Sequence, residues 1–134
     1  MKSLLILFMC CLLPIVGYAN DRSEIVTTID NFYIGDKTGS KAHKIKSMHS
    51  TGAYRYVNQQ GQYIEHKFTF KEGGADTSYD HELLSIDIYD QVALAKLRLE
   101  NKKTAKPEYK IMLLNKITGQ WRITTISWGF SIAQ

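Results

Sequence analysis

The chain has 134 residues, with 17 basic and 13 acidic side chains, a formal net charge of +4 and two cysteines. That length allows one domain built around one core. The small charge surplus is scattered apart from Lys102, Lys103 and Lys106, and no basic stripe with interleaved aromatics runs along the chain, which argues against a nucleic-acid-binding domain.

The first element is "MKSLLILFMCCLLPIVGYAN". Lys2 supplies a positive start, an unbroken apolar run follows, and Gly17 and Ala19 sit at the −3 and −1 positions of a cleavage after Ala19. The run is shorter than the roughly 20 residues a membrane span needs. Residues 1–19 are therefore expected to be a signal peptide and residues 20–134 one exported domain, secreted or periplasmic, with no membrane association once the signal is removed. An uncleaved anchor is the rival reading. Lipid attachment at Cys10 or Cys11 is disfavoured, because "LFMC" lacks the small residue that precedes a lipidated cysteine. Both cysteines fall in the removed segment, so the mature chain has no thiol or disulfide and must stand on its core. Without Lys2 its net charge is about +3.

The mature start, "NDRSEIVTTIDNFYIGDKTG", reads as a helix. Asp21 and Glu24 have capping-box spacing, Ile25, Ile29, Phe32 and Tyr33 build one apolar face, and Gly35 and Gly39 end it. "SKAHKIKSMH" predicts a second, shorter helix that buries Ala42, Ile45 and Met48. From Gly52 the period changes to two. "AYRYVN" and "YIEHKFTF" flank the turn "QQGQ", and "KEGGADTSYD" is a loop. "HELLSIDIY" alternates Leu84, Ile86 and Ile88 against Ser85, Asp87 and Tyr89, and "VALAKLRLE" puts Ala93, Ala95, Leu97 and Leu99 on one face. After the polar loop "NKKTAKPE", the strands "YKIMLLNK" and "WRITTISWGFSI" close a last hairpin around "ITGQ". Helices followed by about six meandering strands predict an α+β fold, with a curved antiparallel sheet packed on the N-terminal helices.

His49, Tyr54 and Tyr56 in "HSTGAYRYVN" carry most of the chemistry that the residues offer. The His49 ring either faces a pocket or caps the second helix. His66, between Glu65 and Lys67, fits a solvated strand face equally well, His43 lies among lysines on an exposed helical face, and His81 carries no motif. No His-Glu-x-x-His spacing occurs, and the neighbours in "YDHE" point to opposite strand faces, so no metal site is expected. "EGGAD" lacks the lysine and following helix of a phosphate loop, no serine-nucleophile signature is present, and no cofactor is expected. Tyr54 and Tyr56 share a strand face, while Trp121 lies one strand face away from Trp128 and Phe130. Such aromatics either stack a flat ligand on a concave face or fill the core.

The element order, with "TIDNFYIGDKTG", "KSMHSTGAYRY", "LLSIDIYDQVALAKLRLE" and "YKIMLLNKITGQWRITTISWGF", resembles the nuclear transport factor 2-like superfamily, and within it the SnoaL-like and lumazine-binding branch. The resemblance covers nearly all of the mature chain and implies a cystatin-like cone, a bent sheet wrapped on a helix with a pocket at its wide end. That scaffold hosts isomerases, cyclases, dehydratases and plain binding or assembly modules, so fold alone decides no function. In steroid isomerase relatives a carboxylate abstracts a proton and a helical tyrosine holds the oxyanion. The matching positions here fall near Tyr56 and Ile29, which lack those groups, and Glu65 is the nearest substitute carboxylate. Dehydratase and cyclase relatives use a His–Asp pair, for which His49 and His66 are the candidate histidines and Asp30 or Asp87 the partners. His49 stands where the branch often has a histidine.

The resulting expectation is an exported small-ligand binding domain that is not an active isomerase. Its pocket would lie between the first helix and the concave sheet, lined by Tyr33, His49, Tyr54, Tyr56 and Trp121, and would take a small hydrophobic or aromatic ligand. Two alternatives stay open. One is a SnoaL-like acid–base enzyme in which His49 or His66 acts on a small carbonyl compound. The other is a homodimeric assembly module, as relatives dimerise through the outer sheet face.

Overall fold

The computed structural model describes residues 13–104 and 107–129. Cys10, Cys11, Lys106 and Phe130 lie outside the described residues. Among the described residues two helices, α1 (Leu13–Thr38) and α2 (Lys41–Ser47), precede six strands: β1 (Met48–Val57), β2 (Tyr63–Lys67), β3 (Tyr79–Tyr89), β4 (Val92–Asn101), β5 (Pro107–Ile117) and β6 (Gln120–Gly129). No helix among the described residues is long and apolar enough to cross a membrane.

Helix α1 presents the predicted face, with Ile25, Ile29, Phe32 and Tyr33 buried along one stripe. Its ends differ from expectation. The helix already runs through Ala19, so Asp21 and Glu24 sit inside it and form no capping box. Nor does Gly35 end it: the helix stops at Thr38, and Gly39 takes the left-handed conformation (φ +73°) that favours glycine. In α2, Ser40 is the N-cap and only Ser47 is buried. Ala42 and Ile45 face outward and Met48 already belongs to β1, because the seven-residue helix is too short to hold a continuous apolar stripe.

The strands form one sheet in the order β2-β1-β6-β5-β4-β3. It is mixed rather than antiparallel, because β1 and β6 pair in parallel, with Tyr54 opposite Ile126. Hairpins impose antiparallel pairing only on strands adjacent in the chain; β1 and β6 are separated by four other strands, and no turn sets their relative direction. Register shifts in β1/β6, β3/β4 and β5/β6 mark bulges, which bend the strands.

The bulge in β3, between Leu83 and Ser85, reverses the alternation. Downstream of it Ile86 and Ile88 are buried as predicted, but upstream it is Tyr79, His81 and Leu83 that turn inward, and Leu84 is exposed. One extra residue shifts every earlier side chain to the other face.

The core continues through Ala93, Ala95, Leu97, Met112, Leu114, Ile123 and Ile126, all fully buried. At the α1 end of the core nearest the N-terminus lies Trp121, 1% exposed. Its indole Nε1 donates to Asp21 Oδ1 (3.0 Å), the Lys116 ammonium reaches the same oxygen (2.6 Å), and the Thr28 hydroxyl donates to the Trp121 carbonyl (3.3 Å). These bonds hold the Asp21 carboxyl below the usual carboxylate range, the Lys116 contact most strongly.

The other end of α1 is tied down by the β2–β3 loop. Gly73 N donates to the Gly39 carbonyl (2.9 Å) and Asp76 N to the Asp36 carbonyl (2.8 Å), satisfying two carbonyls that a helix C-terminus leaves unpaired. Phe68 anchors the start of that loop: it is buried over Gly52, where an added Cβ would stand 2.5 Å from its ring.

Replacing Asp21 leaves the buried Trp121 N–H without an acceptor. Asp21→Ala is expected to destabilise the fold by about 1.5–3 kcal/mol, the range for hydrogen bonds to charged groups, as read by urea unfolding. Because the folded carboxyl titrates below its unfolded value, that difference should be full above about pH 4 and shrink as the pH falls through the lowered value. An unchanged unfolding midpoint at pH 7 would refute this role.

Candidate functional site

Beside the β2–β3 loop, at the Asp36 end of α1, the fold forms a cavity of about 220 Å³ that opens to solvent. Helical spacing delivers one wall: Phe32, Tyr33, Asp36 and Lys37 stand three and four residues apart on the inner side of α1. The sheet supplies the others. Tyr54 of β1 and Trp128 of β6 face it from neighbouring strands, and Lys110 of β5 lies directly opposite Trp128 in the ladder. Tyr79, placed inward by the β3 bulge, Asp76 of the loop and Glu108 complete the polar and aromatic lining.

The rings interlock. Tyr54 meets Trp128 edge-on (centroids 5.7 Å apart) and Phe68 likewise (4.9 Å), while Tyr56 stacks on Trp128 from outside the cavity (4.2 Å, 20°). Tyr33 stacks almost parallel on His81 (3.5 Å, 6°) and meets Phe32 edge-on (5.1 Å). The Lys110 ammonium hangs over two of these rings, 5.2 Å from Phe32 and 5.5 Å from Tyr33.

Buried polar groups here are unevenly satisfied. The Tyr33 hydroxyl and the His81 Nδ1 are buried without a hydrogen-bond partner among the described residues. Burial pushes the Tyr33 and Tyr54 phenols above their ordinary range, with the Asp36 charge adding to it. Burial also holds the Asp36 carboxyl above the usual carboxylate range, against the pull of Lys110 and Lys44. The Lys110 ammonium is pushed down by burial, with Asp36 and Glu108 opposing, and His81 is lowered chiefly by burial, then by Lys37. Asp76 goes the other way, lowered by bonds from the Ser78 hydroxyl and N–H. A carboxyl and an amine both shifted toward their neutral forms by burial among aromatic walls are ordinary components of binding and proton-transfer sites. Among the described residues no group of three or more His, Cys, Asp or Glu side chains comes together as a metal site.

Of the residues singled out from sequence, Tyr33 and Tyr54 line this cavity. Tyr56 is one layer behind, stacked on Trp128. Trp121 is core at the opposite end of α1: fifteen residues separate Asp21, its partner, from Asp36, about 22 Å along a helix. His49 makes a local motif with Thr51, its Nδ1 2.8 Å from the hydroxyl and accepting the Thr51 N–H (3.3 Å). His66 is exposed on the short β2, 6.2 Å from the Tyr56 ring. Neither histidine is bonded to Asp30 or Asp87. Glu65 pairs with Arg55 (2.8 Å), and Ile29 is core. His43, expected on the surface, is half-buried with Nδ1 2.8 Å from the Asn31 amide oxygen.

Among the residues of the site not singled out from sequence are Asp36, Tyr79, Lys110 and, at its edge, His81. Asp36 carried a readable signal, since it follows Phe32 by four and Tyr33 by three on the buried face. Lys110 did not, because both faces of "YKIMLLNK" are apolar and alternation there assigns no inside. Tyr79 and His81 depend on the bulge.

No family model matches the sequence, and no curated protein matches it. Solved structures do resemble it. A nuclear transport factor 2-like protein of unknown function from Shewanella baltica OS155 superposes with a TM-score of 0.69 at 14% identity, covering 87% of this chain and 98% of that one. One from Methylobacillus flagellatus KT gives 0.66 at 17%, covering 81% and 90%. A cystatin-like protein of unknown function from Nostoc punctiforme PCC 73102 gives 0.55 at 16%, covering 85% and 95%. The chain therefore has the nuclear transport factor 2-like fold, α+β and cystatin-like.

Two outcomes are expected at this site. Tyr33→Phe removes a buried hydroxyl that has no partner among the described residues, and should stabilise the ligand-free protein by about 1 kcal/mol in urea unfolding, within the usual desolvation penalty; destabilisation would show that the hydroxyl is satisfied. For Asp36, the folded carboxyl keeps its proton to higher pH than the unfolded one. Below about pH 4 both states are protonated and burial carries no charge penalty; the penalty grows as the pH rises through the raised folded value. Asp36→Asn should thus raise the Tm by a few degrees at pH 7 and by almost nothing at pH 3. A gain larger at pH 3 than at pH 7 would reverse the assignment.

Proposed function

We propose that this chain is an exported small-ligand binding domain whose ligand sits in the cavity between α1 and the concave sheet face. The observation that carries the reading is the combination of an aromatic-walled cavity with a buried Tyr33 hydroxyl that nothing among the described residues satisfies. A ligand that accepts or donates one hydrogen bond there and stacks against Trp128, Tyr54 and Phe32 gains both terms at once. The apolar N-terminal run with its small residues before Asn20 supports export.

Size narrows the ligand. At about 220 Å³ the cavity lies below the roughly 300–1,000 Å³ typical of sites for drug-sized compounds. One ring, or two fused rings, match that space; a steroid or a complete flavin exceeds it and would extend out of the opening. Charge narrows it further, since Asp36, Asp76 and Glu108 face Lys37 and Lys110 around the cavity, a mixed lining that favours a neutral polar compound over a strong anion or cation. An acid–base centre at His49 or His66 has less support, since neither lines the cavity.

A thermal-shift series tests the reading. One- and two-ring aromatic carbonyl and hydroxyl compounds, lumazine among them, are compared with a steroid and a flavin. A ligand at about 100 times its Kd stabilises by about 2.7 kcal/mol, visible as a rise of several degrees in Tm. The small compounds should shift the wild type, and Trp128→Ala should abolish the shift. No shift from any small compound, or a stronger response to the steroid, would overturn the proposal.

A further inference from the structure

The binding reading leaves one group in the cavity unused. Lys110 is half-buried on β5 with its ammonium over the Phe32 and Tyr33 rings, and among the described residues it makes no ion pair and donates no hydrogen bond. Other lysines whose amines make polar contacts are placed differently. Lys37, also at the cavity, lies 3.6 Å from Asp80; Lys102 lies 3.4 Å from the same carboxylate; Lys116 bonds Asp21; and Lys44 donates to the Lys71 and Gly73 carbonyls. Burial in the cavity makes that ammonium easier to deprotonate than an exposed one, with Asp36, Glu108 and Asp76 opposing. The neutral amine so favoured is a nucleophile, and a lysine desolvated in an apolar pocket is the general arrangement for condensation with carbonyl compounds.

We propose that Lys110 captures a small aromatic aldehyde in this cavity as an imine. The proposal rests on the small-ligand reading and names its ligand class. The ring of the aldehyde stacks against Trp128 and Tyr54, and the Tyr33 hydroxyl donates to the carbonyl oxygen. The Lys110 nitrogen bonds to the carbonyl carbon, giving a carbinolamine. Its oxygen takes a proton from the Asp36 carboxyl and leaves as water as the C=N bond forms, and the proton lost from nitrogen restores Asp36. Aldehyde and amine thus become imine and water, with no oxidant or reductant and no net change in protons. Asp36 suits the role because it lines the same cavity and its carboxyl stays protonated to higher pH than an exposed one. A neutral aldehyde also avoids the repulsion that a carboxylate ligand would meet from Asp76 and Glu108.

The test uses benzaldehyde and 4-hydroxybenzaldehyde with the intact protein, with and without cyanoborohydride, which reduces an imine to a stable amine. Peptide mapping after reduction should find one benzyl group, mostly on Lys110, and Lys110→Arg, which keeps the charge and removes the nucleophile, should lose it. Lys110→Gln is mapped alongside, so that the loss is read in a variant whose Tm shows it folded. Thermal shift without the reductant reports binding separately. A shift with label spread over surface lysines, or with none, overturns the imine and leaves the binding site standing. Neither shift nor label, with either aldehyde or with the small compounds tested above, overturns both.

Discussion

The apolar face of α1 stops before the sheet does. Ile25, Ile29 and Phe32 are buried against the strands, and one turn beyond Phe32 the same face carries Asp36. At the other end the large Trp121 ring fills the space under the helix, fastened to Asp21. A carboxyl at the next inward position cannot fill the corresponding space near Tyr54 and Trp128, since packing it tightly there would strip it of water. Where the helix face turns polar the curved sheet continues, and the gap between them is the cavity.

The β2–β3 loop borders that gap through Asp76. Its backbone N–H groups bond the Asp36 and Gly39 carbonyls, so the helix terminus and this border of the cavity are held by the same contacts. Lys44 of α2 donates to the Lys71 and Gly73 carbonyls and steadies the loop from outside. The polar groups inside are not mutually satisfied: among the described residues Tyr33 has no partner for its hydroxyl, and Lys110 has rings beneath it and no ion pair. Such unspent polarity weakens the empty fold and strengthens a complex that completes it, the usual exchange of stability for function at a binding site.

Local periodicity reached most of the elements. The inward stripe of α1, the alternation of β4 and the hairpin turns are properties of neighbours in the chain, and side-chain spacing reports them directly. The α1 start, the inward side of β3 and the face of β5 escaped it. The helix already runs from Leu13, where the Asp21–Glu24 spacing marked a later start. A single extra residue near Leu84 exchanged the faces of the upstream half of β3, and with them His81 and Tyr79. Two apolar faces on β5 hid which one held Lys110.

The candidate site divides along the same line. Sequence by itself determined an α+β chain, the helix face that carries Tyr33, and the strand on which Tyr54 and Tyr56 share a side, because each depends only on the 3.6- and 2-residue repeats. Tertiary structure alone decided that β1 lies parallel to β6, so that Tyr54 meets Trp128, that Trp121 belongs to the core and His49 to a local turn, and that Asp36 and Lys110 face one cavity. Those outcomes depend on strand order, bulges and a loop crossing the helix end, contacts between residues far apart in the chain that no local repeat encodes.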